Sequence, residues 1–349
     1  MRAVPALPAL CALLVAGCAT VPPAGLPPAS TVTAVGETHP VGTTAADAAD
    51  DPAIWRDPAN PAASLIVATD KKAGLYVYGL DGAVRSFDPA GRLNNVDLAD
   101  MGAAGVIVVA SDRNDPATAL LRLYKLDTAA ARLVPLGTVP GGAGESYGVC
   151  LMTAGETLYA FSVLKAGDIH QVAIDLSGSA PAGRIVRSMK LATQTEGCVT
   201  DARTGTLYIG EEDRGIWAFD TRPDGPTAGR LVAPVDGEHL VADVEGLALA
   251  PVGADSGWLV ASSQGDNAYA LYALPGMTPA GRFRIGAGQW GATEETDGIE
   301  LVLGDFGPEY PGGLFVAQDG DNAPAAQNFK MVPWQAILDA TGTGEKAGQ

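Results

Sequence analysis

Basic residues are scarce in this sequence. Only 22 of the 349 residues are Lys or Arg, against 40 Asp and Glu, so the formal net charge at pH 7 is −18. Nucleic acids and anionic membranes need a basic binding face, so this balance argues against a surface that binds either of them. An acidic surface suits divalent cations, and it also serves solubility alone.

Charged residues of both signs make up only 18% of the chain, so the helix-favouring Glu, Lys and Arg are few. Glycine (44) and proline (25) are abundant, and 47% of the residues are apolar. This composition favours many short strands joined by turns. The sequence therefore predicts an all-β protein, and its length allows one large domain or two ordinary ones.

Histidine and common catalytic signatures are also sparse. His39, His170 and His239 are not clustered with cysteine, so a zinc site has little support. No Ser-His-Asp set and no phosphate loop of the GxxxxGK type occurs. We therefore expect structural or surface histidines, and neither a covalent serine nor ATP hydrolysis.

After its first residues the sequence has no hydrophobic run long enough to span a bilayer. Residues 1–18 are typical of a targeting signal, with Arg2, an apolar run and the ending LVAGC at Cys18. This ending resembles a bacterial lipobox, which predicts lipidation of Cys18 in the cell envelope, at the outer membrane because Ala19 is not an inner-membrane-retaining Asp. An ordinary signal peptide, giving a periplasmic or secreted protein, is the alternative. Proline-rich residues 19–30 are expected to form a tether.

Cysteine is rare as well, with four in the chain. Once Cys18 is assigned to lipid, Cys150 and Cys198 are the two that follow it. An oxidising envelope would allow a disulfide between them, and two buried free thiols are the alternative.

Six segments of about fifty residues share one plan of three apolar strands, the second ending in a polar quartet. They start at Asp51, Val96, Tyr147, Glu196, Glu245 and Asp297, at spacings of 45, 51, 49, 49 and 52 residues. This period predicts a six-bladed β-propeller, forming one domain over residues 31–340 with a flexible tail at 341–349. The sixth segment is short, so we expect residues 30–38 to close the ring as a strand of the last blade.

The repeat brings two sets of side chains to one mouth of the channel. The first two strands of a blade are antiparallel, so the start of the first and the end of the second lie at the same rim. The quartets of the first three segments carry Lys71, Lys72, Arg113 and Lys165, and those of the last three carry Glu211, Glu212, Asp213, Gln264, Asp266, Asp319 and Asp321. We expect a rim with a cationic half and an acidic half.

The acidic half offers oxygen ligands, to which the strand starts add Asp50, Asp51, Glu196, Asp243, Glu245 and Asp297. Dense carboxylate and amide oxygens favour calcium, and magnesium less. Metal ions there would offset the repulsion within DAADDPAIW, which includes Asp47, Asp50 and Asp51. Turn formation by the Asp-Gly and Glu-Gly pairs is the structural alternative.

The cationic half suits a phosphate-bearing ligand. Metal ions beside cationic side chains are typical of phosphoryl transfer to water. Two other hypotheses stay open from the residues alone. One is a calcium-dependent propeller lactonase or phosphotriesterase, which would not need four basic residues at the rim. The other is a propeller that binds a ligand without catalysis.

Ten motifs in order resemble those of the β-propeller phytases, alkaline phosphatases that act on myo-inositol hexakisphosphate (phytate). They are DAADDPAIW, TDKKAGLYVY, LNNVDL, TQTEG, LYIGEED, DVEGL, ASSQGD, TDGIE, GPEYPGGLFVAQDG and NFKMVPW. The resemblance implies a six-bladed propeller that needs several calcium ions for stability and catalysis. It also implies a phosphoric monoester hydrolase of the 3-phytase type, which takes phytate as its calcium complex and releases orthophosphate and lower inositol phosphates by attack of a calcium-bridging water. We expect it to act as a monomer.

Carried over by motif, the resemblance implies functional residues at particular positions. The calcium ligands are expected among Asp50, Asp51, Asn95, Glu196, Glu212, Asp243, Glu245, Gln264 and Asp297, with Glu37 as a further candidate. The phosphate contacts are expected from Lys71, Lys72, Arg113, Tyr147 and Lys165. Glu212, which would position the attacking water, and Tyr147, which would bond a phosphate oxygen, form the expected catalytic set with Lys71 and Arg113.

Three positions depart from the family pattern. Ala166 stands where the family carries an acidic residue, the segment GATEETDG is shorter than an acidic loop of the family, and Asp319 replaces an Asn. The resemblance therefore implies that one calcium site is altered or lost, while the activity is retained.

Overall fold

Short apolar runs bounded by Gly, Pro, Asp or Asn form the strands of this protein. The computed structural model describes residues 28–45 and 47–344. The first fourteen strands there are β1 (Ser30–Thr33), β2 (Gly36–Glu37), β3 (Ala49–Trp55), β4 (Leu65–Asp70), β5 (Gly74–Gly79), β6 (Val84–Asp88), β7 (Leu93–Asp100), β8 (Val106–Asp112), β9 (Thr118–Asp127), β10 (Arg132–Ala143), β11 (Ser146–Ala154), β12 (Thr157–Leu164), β13 (Asp168–Asp175) and β14 (Ala182–Lys190).

The remaining elements of the described residues are eleven strands and one helix. They are β15 (Thr195–Asp201), β16 (Thr206–Glu211), β17 (Gly215–Asp220), β18 (Arg230–Pro234), β19 (Val244–Val252), β20 (Ser256–Ser263), β21 (Ala268–Leu274), β22 (Thr278–Gly286), β23 (Ile299–Leu303), β24 (Gly313–Asp319), β25 (Asn328–Pro333) and the helix α1 (Trp334–Thr341). Three single turns of 3-10 helix, Pro61–Ala63, Gly102–Ala104 and Gln264–Asp266, lie in the connections.

The strands form six sheets, which confirms the all-β, six-bladed propeller. Five blades are antiparallel meanders of four consecutive strands, β3–β6, β7–β10, β11–β14, β15–β18 and β19–β22, and the sixth contains β23, β24 and β25. Strands β4 and β8 are buried along their whole length because each lies between two neighbouring strands and between two neighbouring blades. This explains why the second strands are continuous apolar runs.

Hydrophobic contacts lie between the blades. Six clusters of buried apolar side chains occur in the described residues, and each joins one blade to the next. Phe161 and Ile209, for example, meet between the third and fourth blades. The core is thus a ring around the channel, and it places the first strands of all blades close to one axis.

The ring is closed in a way that corrects part of the prediction. Gly36–Glu37 pairs antiparallel with β25 and so adds the expected strand to the last blade. Ser30–Thr33 instead runs parallel to β22, as a fifth strand of the fifth blade. The reason is packing, because Val32 is buried in the cluster between the fifth and sixth blades. The N-terminal segment therefore spans this seam instead of entering one blade.

The first strands carry irregularities where the site residues lie. In five blades the register between the first and second strands shifts near the N-terminal end of the first strand. Examples are the shifts between Ala49 and Pro52 and between Thr195 and Cys198. Such bulges change the direction in which the side chains point. The side chains at the first bulged position and its counterpart in the sixth blade are Asp50, Asn94, Tyr147, Glu196, Glu245 and Asp297. The repeat therefore starts at Asp50 and Asn94 in the first two blades, and the expected starts Asp51 and Val96 are wrong.

The glycines after these residues are explained by close approach of neighbouring blades. A Cβ on Gly148 would lie 1.9 Å from the carbonyl oxygen of Glu196, and one on Gly197 would lie 2.1 Å from that of Glu245. Both glycines lie in strands with no positive φ. The alternative that the Glu-Gly pair at Glu196 and Gly197 forms a turn is therefore wrong.

The targeting signal with Cys18, most of the tether and residues 345–349 lie outside the described residues. Among the described residues, none of the helices combines the length and the apolar character needed to cross a bilayer.

Candidate functional site

Three buried glutamates converge at the mouth of the channel. Glu196 and Glu245 occupy the bulges of β15 and β19, and Glu212 follows the last residue of β16. One carboxylate oxygen of each lies within 4.8 Å of the other two. Burial raises the pKa of Glu212 to about 7, and burial together with neighbouring carboxylates raises the pKa values of Glu196 and Glu245 well above their ordinary range. Such a group favours a cation in its midst.

Asp50 adds a fourth carboxylate at this level of the ring. Its side chain is fully buried, and burial raises its pKa to about 7 although the Lys71 ammonium acts against this shift. Within the described residues, both Asp50 oxygens, Glu212 Oε1 and Glu245 Oε2 have no hydrogen-bond partner. Buried polar atoms are normally paired, so four unpaired carboxylate oxygens fit a hard cation such as calcium.

Lys71 lies among carboxylates, so the two halves of the rim interleave. Its Nζ is 2.5 Å from Asp47 Oδ1, 2.8 Å from Asp297 Oδ2 and 3.5 Å from Asp50 Oδ2. Burial by itself would lower the pKa of Lys71, but Asp50 and Asp297 outweigh it and raise this pKa well above its ordinary value. Lys71 therefore remains a cation that can meet a phosphate oxygen, and the expectation of separate cationic and acidic halves is wrong.

The three aspartates of DAADDPAIW have different surroundings. Asp47 is mostly exposed and pairs with Lys71 and with Lys72 Nζ at 2.9 Å. Asp51 Oδ2 accepts a hydrogen bond from the Val96 N–H at 3.0 Å. Neither oxygen of Asp50 has a hydrogen-bond partner among the described residues, and Lys71 Nζ is 3.5 Å from Oδ2, so Asp50 is the aspartate of this motif whose surroundings best fit a cation.

Two expected calcium ligands, Asp51 and Asn95, occupy the second bulge position and line a cavity of about 240 Å³ in the channel. Asp97 and Glu300 line the same cavity. Burial raises the pKa of Asp97 to about 7 and that of Glu300 to about 8. Alternation along the first strands could have indicated these two side chains, because residues two positions apart share one face of a strand.

Tyr147 lies between two of the expected phosphate-binding cations. Arg113 Cζ is 5.3 Å and Lys165 Nζ is 4.9 Å from the centroid of its ring. Arg113 Nε is also 3.4 Å from Glu145 Oε1. Cations over an aromatic face are stabilised by the ring quadrupole, so Tyr147 holds two positive groups beside the acidic cluster. Its own pKa is raised by burial and by the Glu196 carboxylate, so its hydroxyl keeps its proton.

A second part of the rim lies between the fifth and sixth blades. A cleft of about 580 Å³ is lined by Asp243, Gln264, Glu294 and Asp297 among others. Gln264 Nε2 donates to Asp297 Oδ1 at 2.7 Å, so this pair is hydrogen-bonded across the blade seam. Burial raises the pKa of Asp243, with a further contribution from Asp213.

Glu37 lies apart from the acidic cluster. Its Oε2 is 2.5 Å from Lys330 Nζ, which is fully buried and also 3.1 Å from Asp319 Oδ2. The lysine ammonium thus occupies the place of a cation between these carboxylates. Glu37 and Asp319 therefore share one ion-pair partner inside the protein, the Lys330 ammonium.

Cys150 and Cys198 form a disulfide with a Cα–Cα distance of 5.8 Å. The bond joins the first strands of the third and fourth blades, three residues after Tyr147 and two after Glu196. It therefore ties together the two strands that carry these site residues.

Sequence reasoning missed two polar side chains of the rim. Asn94 is fully buried and donates from Nδ2 to Glu196 Oε1 at 2.6 Å. Gln194 Nε2 is 3.5 Å from the Tyr147 hydroxyl, and a side-chain hydrogen bond from Gln194 lowers the pKa of Glu212 against the effect of burial. Both lie in motifs quoted above, LNNVDL and TQTEG. In these motifs, functional roles were assigned from the sequence to the neighbouring residues Asn95 and Glu196.

Comparisons with known proteins show the family to which the chain belongs. A sequence model of the phytase family matches residues 5–347. A 3-phytase of Bacillus subtilis (strain 168) is 38% identical over 327 residues, which cover 89% of this chain and 85% of that protein. A chain in the crystal structure of the mitotic checkpoint complex superposes with a TM-score of 0.50 at 14% identity, over 93% of this chain and 90% of that chain. The last likeness concerns the fold alone.

Proposed function

As a member of the phytase family, this chain is a phosphoric monoester hydrolase, and we propose that it releases orthophosphate from phytate with the help of calcium ions at the rim. The observation that carries the calcium requirement is the set of four unpaired, buried carboxylate oxygens on Asp50, Glu212 and Glu245. The donors are all oxygen, which suits calcium better than zinc or copper. Glu196, Asp243, Gln264 and Asp297 surround this set and are proposed as further ligands, with Asp51 and Asn95 below them in the channel.

The cations of the rim would bind the phosphate groups. Lys71 lies beside Asp50, and Arg113 and Lys165 flank Tyr147. Arg113 can hold two phosphate oxygens with its planar fork, while the lysines act as point charges. The Tyr147 hydroxyl, which keeps its proton, can donate to a further oxygen. Lys72 is exposed and shares Asp47 with Lys71, so it is proposed to contact an outer phosphate of the substrate.

Glu212 is proposed to position the attacking water. Its pKa of about 7 lets it accept a proton near neutral pH, and its Oε1 is free of other partners among the described residues. When bound, calcium would supply positive charge to the phosphate oxygens and make a water molecule more acidic. The chain itself then has to hold the phosphate in line with this water, which is the role of the cations around Tyr147.

The test is phosphate release from phytate by the purified full-length chain, measured with calcium, with magnesium and with excess chelator. Release that requires calcium supports both the substrate and the metal. Equal release in chelator would contradict the calcium role, and no release by a folded chain in any condition would contradict the activity.

We also propose roles for the N-terminal segments, a cellular location and an oligomeric state. Residues 1–18 would be a signal that ends in lipidation of Cys18, residues 19–30 a tether, and residues 31–340 the catalytic domain, which would act as a monomer in the bacterial envelope. Cell fractionation of the wild type and of Cys18→Ala tests the anchor, because the variant should leave the membrane fraction. Light scattering on the purified chain tests the monomer.

A further inference from the structure

Asn94 lies buried between a cation and a carboxylate of the rim. Its side chain has no solvent exposure. Its Nδ2 donates to Glu196 Oε1 at 2.6 Å, and its Oδ1 accepts a hydrogen bond from Arg113 Nη1. One amide therefore joins a proposed phosphate-binding residue to a proposed metal ligand.

The chemistry of the two partners fixes which way the amide points. A guanidinium can only donate hydrogen bonds and an ionised carboxylate can only accept them, so the carbonyl must face Arg113 and the NH2 must face Glu196. The short planar amide of Asn94 presents its acceptor to Arg113 and its donor to Glu196, so it satisfies both groups at once. An aspartate would repel Glu196, and an apolar residue would leave both charged groups without this partner.

The position of Asn94 in the ring supports a role at the site. It occupies the first bulge position of the second blade, where the other blades carry Asp50, Tyr147, Glu196, Glu245 and Asp297. Its carbonyl oxygen faces Arg113, so in this arrangement Asn94 serves the cation instead of a metal ion.

The remaining contacts of Arg113 are looser. Glu145 Oε1 is 3.4 Å from its Nε, and the Tyr147 ring centroid is 5.3 Å from its Cζ. Arg113 Nε has no hydrogen-bond partner within the described residues. Of these groups Asn94 alone also contacts the acidic cluster, so it sets the distance between the guanidinium and Glu196.

We propose that Asn94 is a positioning residue that holds Arg113 and Glu196 in register, so that the binding of phosphate groups and the binding of calcium depend on each other through its amide. This inference rests on the proposed function, because it takes the roles of Arg113 and Glu196 from it. Groups that orient metal ligands typically change metal affinity or activity by about 10- to 100-fold when they are removed.

The experiment compares Asn94→Ala with wild type by calorimetry, using calcium alone and then myo-inositol hexasulfate, a phosphate mimic that is not hydrolysed at the site. We expect both affinities to fall by about 10- to 100-fold, with a rise in KM larger than the fall in kcat. In the Arg113→Ala background, Asn94→Ala should reduce hexasulfate affinity by less than about threefold, because the residue through which it acts is gone.

The matched control is Gln171→Ala. Gln171 is also a fully buried amide, and its Nε2 donates to the Thr221 carbonyl at 2.8 Å across the outer part of the seam between the third and fourth blades. Its loss should lower the melting temperature and leave both affinities unchanged. If Asn94→Ala behaves like this control, or if its effects in the Arg113→Ala background are fully additive, the inference is overturned while the proposed function stands.

Asn94→Asp keeps the size and shape of the side chain. It therefore tests the positioning role of residue 94 even if the alanine variant does not fold. It should retain hexasulfate affinity within about threefold, because a carboxylate can still accept from Arg113, and it should change calcium affinity by more than tenfold, because a charge is added beside Glu196. Unchanged calcium affinity in this variant would overturn the inference. A wild type that binds no calcium and releases no phosphate would overturn the proposed function, and this inference with it.

Discussion

At the scale of single residues, burial and pairing decide which carboxylates can take part in catalysis. Asp47 and Asp50 are three positions apart, yet neither oxygen of Asp50 has a hydrogen-bond partner among the described residues. Lys71 Nζ lies 3.5 Å from Asp50 Oδ2, whereas Asp47 forms close ion pairs with Lys71 and Lys72. Glu37 is likewise neutralised, by the buried Lys330. A carboxylate oxygen that is already hydrogen-bonded to a cation inside the chain gains less from calcium, so the proposed metal contacts are expected to be strongest at the oxygens without a hydrogen-bond partner.

Glu212→Gln tests this assignment at the residue with the clearest proposed role. The amide keeps the size of the side chain but loses the charge that holds a cation and the ability to take a proton, so we expect kcat to fall by about 10²- to 10⁴-fold. The measurement is kcat for phytate at saturating calcium. Circular dichroism and the melting temperature serve as controls for folding, and a wild-type kcat in a folded variant would exclude the role.

At the scale of elements, the bulges and the glycines that follow them build the rim. The first strands approach so closely that the carbonyl of Glu245 leaves no room for a side chain at residue 197. This contact holds the fourth blade against the fifth just where Glu196 and Glu245 point into the channel. The glycine is therefore part of the geometry of the buried glutamate cluster.

Gly197→Ala should lower both stability and activity. The added Cβ would lie 2.1 Å from a backbone oxygen, so one blade must move, at a cost of about 1–3 kcal/mol in the free energy of unfolding. Urea unfolding and phosphate release measure the two effects. Gly312→Ala is the matched control, because no atom lies within 4 Å of a Cβ at that position. Equal behaviour of the two variants would exclude a role of close approach.

Much of the fold can be predicted from the sequence at this scale, because a period of about fifty residues and continuous apolar second strands determine blades and seams. The register at the rim cannot be read in the same way. Asp51 and Val96 resemble blade starts, but the bulges move Asp50 and Asn94 into those positions. Bulges arise from contacts between strands and between blades, which a local pattern does not contain. The role of Asn94 was missed for the same reason.

At the scale of the whole molecule, the ring concentrates charge on its axis. Its six apolar seams surround a channel into which Asp51, Asp97 and Glu300 point, each with a pKa raised by burial. Folding buries these carboxyl groups and raises their pKa values. The free energy of unfolding should therefore depend on pH.

The direction of this dependence follows from Glu300. Its pKa is about 8 in the folded chain and near 4.5 when unfolded, so between these values the folded state binds a proton that the unfolded state has released. Stability conferred by the protonated form is present below pH 4.5 and is lost as the pH rises through about 8. The loss is on the order of a few kcal/mol.

We therefore expect the free energy of unfolding in excess chelator to fall between pH 5 and pH 8, and to fall less in Glu300→Gln, which stays neutral. Asp97 titrates in the same window with a pKa of about 7, so the variant should reduce the slope without abolishing it. Glu156→Gln, at an exposed glutamate, should leave the slope unchanged. If Glu300→Gln and wild type have the same slope in chelator, the channel carboxylates do not control stability, and the charge on the axis must be balanced by groups elsewhere in the ring.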